Sequence, residues 1–201
     1  MPPLMERRDL LRGALAGAGL LTLGRLALER TPAVLGQPHD VTPPAGAALD
    51  WRARLAPASE PGQPMILAGT LIDSDGRTPV AGATVYAYHT AADGLYSRTG
   101  SLPRLRGWMK TDAAGRFQLQ SIRPAAYPGR TIPAHVHFNA WGAGHPRQGF
   151  EQIEFEGDPL VTPERLAESR KLGRFGFVRR LVRSSDGIWR GRLELRFDGG
   201  D

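Results

Sequence analysis

Cysteine is absent from this 201-residue chain. That excludes disulfides and thiolate metal sites, so any bound metal must be held by nitrogen and oxygen donors. Lysine is confined to Lys110 and Lys171, and every other basic residue except histidine is an arginine. The formal net charge of +6 raises the question of a nucleic-acid partner. Five of the arginines, however, are Arg7, Arg8, Arg12, Arg25 and Arg30, near the start, with Glu6, Asp9 and Glu29 among them; without residues 1–36 the net charge is +4. No basic stripe alternates with aromatics, and nucleic acid is not an expected partner. There is no internal repeat and no apolar run long enough to span a bilayer.

What the chain does have begins with its first residues. Glu6-Arg-Arg-Asp-Leu-Leu-Arg12 precedes an apolar, Gly/Ala/Leu-rich run from Gly13 to Gly24, which Arg25 interrupts. A basic segment ahead of a short apolar one is the physical signature of an export signal. The paired arginines followed by two leucines resemble the twin-arginine type. Residues 1–36 are therefore expected to send the protein to the periplasm or outside a bacterial cell, leaving no stable membrane anchor once removed. The run from 13 to 24 has no polar face except Thr22, which argues against an ordinary amphipathic helix at a domain edge. Residues 37–64 are rich in Pro, Ala and Gly and read as a linker or arm, with Trp51 as a packing anchor.

Gly (25) and Pro (17) are abundant without a period, which favours many turns over disorder. From Met65 onward, apolar runs alternate with turn signals. Strands are expected at Met65–Ile72, closed by Asp73-Ser-Asp-Gly76, at Ala83–Tyr88, Arg116–Ile122, His135–Ala140 and Gln152–Phe155. Within Ala83–Tyr88, Val85 faces one side and Tyr86 and Tyr88 the other. Arg174–Val182 and Ile188–Phe197, around Ser185-Asp-Gly187, read as a closing hairpin. One helix is expected, Pro163–Lys171, with Thr162 as its N-cap and Glu164 in its first turn. The pattern predicts an all-β fold for residues 65–201: an antiparallel β-sandwich with one short helix.

Chemistry concentrates in Tyr127-Pro-Gly-Arg130-Thr-Ile-Pro-Ala-His135-Val-His137-Phe. His135 and His137 stand two apart on a strand, so both imidazoles project from one face and can meet one metal without backbone strain. His-x-His alone also occurs as a plain surface or core pair. Tyrosines nearby change the chemistry. Pro128, Gly129 and Pro133 make a turn able to bring Tyr127 back toward the histidines, and Tyr96 follows Gly94 at a loop tip. Ionising a phenol of pKa ~10 at neutral pH takes a strongly Lewis-acidic ion. Two phenolates with two imidazoles therefore favour Fe(III) over Zn(II).

Five segments carry a specific resemblance: Gly69-Thr-Leu-Ile-Asp73 with Pro79-Val-Ala-Gly-Ala83, Lys110-Thr-Asp-Ala-Ala-Gly-Arg-Phe117, Ile122-Arg-Pro-Ala-Ala-Tyr127-Pro, Pro133-Ala-His135-Val-His137-Phe, and Phe155-Glu-Gly-Asp-Pro-Leu160. Over residues 65–162 the chain resembles the intradiol ring-cleavage dioxygenases, above all the protocatechuate 3,4-dioxygenase subunits. The resemblance implies a non-haem Fe(III) held by Tyr96, Tyr127, His135 and His137, and a reaction that opens a catechol-type ring with O2 to a muconate-type diacid. It implies that Tyr127 is the tyrosine that leaves the iron when substrate binds, and that Gln152, fifteen residues after His137, lines the pocket. Tyr88 stands where the family often has tryptophan. The family's arginine three residues before the first histidine is replaced by Ile132; Arg130, two residues earlier, is the candidate to take over its task. The partners implied are a small aromatic diol and O2, with a homo-oligomer possible.

The same residues leave two other readings open. The Pro-Val-Ala-Gly-Ala segment is similar to non-catalytic transthyretin-like binding modules, which lack the Tyr, Tyr and His-x-His set. A zinc hydrolase would use His135, His137 and a carboxylate, but no acidic third ligand has a convincing spacing. His89 is expected to be structural and His145 exposed in a loop. Glu154, Glu156 and Asp158 read as ordinary strand-end carboxylates rather than a calcium cluster.

Overall fold

The computed structural model describes residues 41–100 and 102–199; the expected export segment, residues 1–36, lies outside them. Strands β1 (Arg52–Arg54), β2 (Pro64–Ile72), β3 (Thr84–His89), β4 (Leu105–Lys110), β5 (Arg116–Ile122), β6 (His135–Gly142), β7 (His145–Gly149) and β8 (Ile153–Phe155) come first. Helix α1 (Pro163–Lys171), a 3-10 turn at Gly173–Phe175, and strands β9 (Val178–Arg179), β10 (Val182–Arg183) and β11 (Trp189–Arg196) follow. They form two sheets, ordered β1-β5-β2-β11-β10 and β4-β3-β6-β8-β9, with β7 paired to β6.

Alternation along each strand decides which face is buried. Met65, Leu67 and Leu71 of β2 and Leu193 and Leu195 of β11 join Val85 and Ala87 of β3 and Val136, Phe138 and Ala140 of β6 in one core between the sheets. Gly69 leaves room for an aromatic ring in that core: a Cβ there would lie 2.1 Å from Cζ of Phe117. The residues between these inward positions face away from the core. On the second sheet they include Tyr86, Tyr88, His135 and His137, and this outward face carries the candidate site.

The fold is mostly β with one short helix, as expected, but the sheets are mixed rather than antiparallel. Strands β1 and β5, β2 and β11, and β8 and β9 pair in parallel. Each of these pairs joins strands distant in sequence, where no tight hairpin forces the antiparallel direction. The expected closing hairpin is also shorter than anticipated. Only Val182–Arg183 pairs back onto Trp189–Arg190. Upstream, Phe177 and Val178 are drawn into the core, and β9 adds to the edge of the other sheet beside β8. The helix spans the expected residues, and the Thr162 hydroxyl accepts a hydrogen bond from the Arg165 amide at 3.2 Å. Three further strands lay outside the expected pattern: β4, β7, and β1 within the Pro/Ala/Gly-rich arm. Beside β1, the Trp51 carbonyl accepts from the Gln118 amide at 2.7 Å, and Arg52 lies 4.0 Å over the indole.

Candidate metal centre and active site

Strand β6 supplies both histidines. It pairs on one side with β3, setting Tyr88 opposite His137, and on the other with β8, setting Glu154 opposite His135. The imidazoles project from the same face, as the period of two requires, and their Nε2 atoms lie 3.0 Å apart. Tyr88 stacks on His137 with ring centroids 4.6 Å apart and planes tilted by only 14°, so the aromatic residue at this position buttresses the second imidazole.

The tyrosines arrive on two irregular segments, one between β3 and β4 and one between β5 and β6. The segments are bound to each other: the Thr90 hydroxyl donates to the Ala125 carbonyl at 2.6 Å. At Gly94 the contact is closer still. Its φ is +77°, and a Cβ there would lie 2.2 Å from the Ala126 carbonyl oxygen. Glycine is required at this point both for the left-handed conformation and for the approach. The result brings the Tyr96 and Tyr127 hydroxyls to 2.5 Å from each other, with the Tyr127 hydroxyl 3.1 Å from Nε2 of His135. Both tyrosines are buried, with 6% and 7% of their surface exposed.

Protonation follows from the partners. Nδ1 of His135 lies 2.7 Å from the Pro133 carbonyl oxygen, which can only accept, so Nδ1 carries the proton. Burial holds the His135 pKa below its ordinary value, which keeps the ring neutral. Its Nε2 therefore presents a lone pair to Tyr127 and His137, the tautomer a metal ligand needs. Burial, and then the bond to Tyr127, push the Tyr96 phenol well above its ordinary range. Tyr127 is also raised by burial, but the bond from Tyr96 pulls it the other way. With its own hydrogen directed at the Nε2 lone pair of His135, Tyr127 accepts from Tyr96.

Two phenol oxygens and two imidazole nitrogens linked at 2.5, 3.1 and 3.0 Å form a donor set that fits one ion. Neighbouring donors at right angles, each about 2.0–2.2 Å from a metal, stand about 3 Å from each other. The donors are hard and intermediate, N and O only, which suits a trivalent iron better than a soft ion. Among the described residues no group of three His, Asp or Glu side chains converges as an alternative metal cluster.

The two remaining site candidates make no side-chain hydrogen bond to this quartet among the described residues. Gln152 immediately precedes β8, and its amide nitrogen donates to Glu154 Oε1 at 2.8 Å. Arg130 sits on an exposed turn, where its backbone amide donates to the Tyr127 carbonyl at 3.2 Å; its guanidinium makes no hydrogen bond or ion pair among the described residues. Ile132 packs against the tyrosine cluster together with Trp108 and Trp141.

Several neighbours escaped the sequence reading. Glu154 is fully buried, with 0% exposure, and bonded to Arg165 of α1 at 2.8 Å, while Arg165 also holds Glu151 at 2.6 Å. A buried, paired carboxylate beside His135 is thus part of the site's frame and not a strand-end residue. Asp158 is likewise engaged, accepting from the Ala134 amide at 3.0 Å. Trp108 donates its indole N–H to the Val41 carbonyl at 2.6 Å, tying the arm to the cluster. His89 is structural as expected: it is fully buried between the Thr90 carbonyl and the Ser121 hydroxyl, at 2.7 Å each. His145 departs from expectation. It begins β7, is 19% exposed, and stacks face to face on Phe197 at 4.0 Å.

With this geometry in hand, the chain can be set beside known proteins. A family model described as Dioxygenase matches residues 46–198. Catechol 1,2-dioxygenase 2 of Acinetobacter lwoffii is 31% identical over 175 residues, covering 69% of this chain and 63% of that protein. The chain therefore spans less than two thirds of that relative's length. Among solved structures, catechol 1,2-dioxygenase from Pseudomonas arvilla C-1 superposes with a TM-score of 0.62 at 28% identity, covering 85% of this chain and 63% of that one. The dioxygenase domain of a carbohydrate-binding fusion protein from Streptomyces sp. SirexAA-E superposes at 0.59 with 25% identity, covering 85% of this chain and 99% of that one. The chain belongs to the intradiol dioxygenase family.

Proposed function

We propose that this protein holds one ferric ion between Tyr96, Tyr127, His135 and His137 and opens catechol-type rings with O2 between the two hydroxyl-bearing carbons, giving muconate-type diacids. The observation that carries this reading is the unbroken run of phenol and imidazole contacts, with the His135 lone pair turned into it. When bound, ferric iron would act as a Lewis acid, drawing electron density from a chelated catechol and making its ring reactive toward O2.

The chain's own groups divide the remaining work. His135 and His137 are held by strand pairing and, for His135, by the Pro133 carbonyl; they are the fixed half of the site. Tyr127 lies outside any strand, so its phenol can withdraw without breaking a strand pair; held as a phenolate by the metal, its oxygen would take a proton from an incoming diol on leaving. Gln152 spends one N–H on Glu154, which leaves its carbonyl oxygen and second N–H for substrate. Arg130 would have to swing in from its exposed turn to steady charge on the ring oxygens. Ile132 and Tyr88 would give the pocket an apolar wall.

The test is oxygen uptake by the iron-loaded full chain against a panel of catechols. At least one is expected to be consumed with one O2 per ring. Tyr127→Phe should keep the iron but lose turnover by roughly 10²-fold or more, in the range expected for removing a positioned acid–base group. Iron-loaded protein that consumes no oxygen with any catechol would overturn the reading in favour of a binding module.

We also propose that residues 1–36 direct export by the twin-arginine route, on the strength of Arg7, Arg8 and the apolar run that follows. Among the described residues no helix is long and apolar enough to cross a membrane. Cell fractionation of an Arg7→Lys, Arg8→Lys variant should find it retained in the cytoplasm; unchanged export would contradict this route.

A further inference from the structure

A second cavity lies away from the tyrosine–histidine cluster. It measures about 640 Å³ and opens on the outward face of the first sheet, a volume in the range that takes a small organic ligand. Ile66 and Ala68 of β2, with Val178 and Val182, give it an apolar floor. Four arginines, Arg179, Arg180, Arg190 and Arg192, stand around that floor against the one carboxylate of Glu156.

Two arginines elsewhere are matched by acids. Arg116 is paired with Asp112 and Arg174 with Glu194. Within the cavity, only Arg190 has such a partner, Asp186 at 2.7 Å. Arg180 and Arg192 make no side-chain hydrogen bond, ion pair or ring contact among the described residues. Arg179 is half-buried and donates only to main-chain carbonyls, those of Arg192 at 2.9 Å, Gly176 at 3.1 Å and Arg174 at 3.3 Å. The carbonyls orient its guanidinium, and the carboxylates of Glu194 and Glu156 act on its charge without a direct ion pair. Burial still pulls the Arg179 pKa below its ordinary value. With Asp186 set against Arg190 and Glu156 against Arg179, the charges of Arg180 and Arg192 beside an apolar floor are left without a counter-charge.

We propose that this cavity is a binding site for small dicarboxylates with an apolar middle. Two carboxylates would match the two uncompensated charges through charge-assisted, bidentate contacts with Arg180 and Arg192. The spacer between them would lie on Ile66, Ala68 and Val178. An inorganic dianion would satisfy the charge and leave the floor wet, so the apolar lining is what selects the organic class. The site does not depend on the ring-cleavage reading, although muconate-type diacids fall within the class it would take.

Calorimetric titration of the full chain with adipate, sulfate and hexanoate tests this. Adipate should bind saturably, with sulfate and hexanoate each weaker by about tenfold or more. The surface double variant Arg180→Ala, Arg192→Ala should lose adipate affinity by a similar factor and keep its thermal stability. Tyr127→Phe should bind adipate as the parent does. Adipate binding unchanged in the double variant, or abolished by Tyr127→Phe, would overturn the proposal, as would sulfate binding as tightly as adipate.

Discussion

The two halves of the candidate metal centre are built on different principles. His135 and His137 sit on one strand, and the two-residue period and the pairing with β3 and β8 determine where they point. Tyr96 and Tyr127 come from two irregular segments that owe their placement to each other, through the Thr90–Ala125 bond and the close passage at Gly94. A rigid pair faces an adjustable pair. That division suits a site in which one ligand must leave and return while the others stay, and it can be broken one half at a time.

The largest effect should come from the rigid half. His137→Ala removes a proposed ligand that no loop movement can replace, and iron affinity should fall by about 100-fold or more, beyond what losing an outer partner costs. Metal analysis after dialysis checks this; full iron retention would mean that His137 is not a ligand. Gly94→Ala strikes the adjustable half. The left-handed backbone costs about 1–2 kcal/mol for a residue with a side chain, and the 2.2 Å approach to the Ala126 carbonyl forces the two segments apart. The sheets should persist by circular dichroism while iron binding weakens. An unperturbed site would show that the segments are held by other contacts.

A smaller effect is expected behind the histidines. Arg165→Ala leaves Glu154 buried without its cation. Because the arginine is 29% exposed and its partner 0%, the loss should approach the buried-pair range, at about 2–3 kcal/mol by urea unfolding. Arg165→Ala, Glu154→Gln should recover part of it. No destabilisation in the single variant would mean that water replaces the guanidinium.

The smallest effect is a pH dependence away from the site. Burial pushes the His89 pKa down from 6.5 to about 4. The folded state then binds fewer protons than the unfolded state below pH 6.5. The stability this burial contributes is fully present above pH 6.5 and is lost as pH falls toward 4. His89→Gln should flatten the unfolding free energy over that window, whereas an unchanged slope would assign the acid sensitivity to other groups.

The same contrast governs what could be read before the structure. His135-Val-His137 could be read as one face because strand alternation is local, and the helix with its Thr162 cap was equally local. Tyr96 and Tyr127 could be picked out as neighbouring phenols on turns, but their place in one ligand set came with the family resemblance, since nothing in their spacing says that two separate loops converge. Val178–Arg179 looked like the start of a hairpin because its partner β8 lies far back in sequence and pairs in parallel. Leu105–Lys110 hid as a strand because Gly107 and two basic residues interrupt its apolar pattern. Glu154 looked like a solvent carboxylate because its cation, Arg165, arrives from a helix eleven residues on. Local periodicity is written in neighbouring residues; long-range pairing is not.

The central claim, that two phenols and two imidazoles close on one trivalent iron, is tested most directly by adding ferric iron to the metal-free full chain and following its visible absorption. One equivalent per chain should produce a red-brown phenolate-to-iron band that weakens in Tyr96→Phe. A protein that binds the iron yet stays colourless, or keeps the full band without Tyr96, would contradict the account.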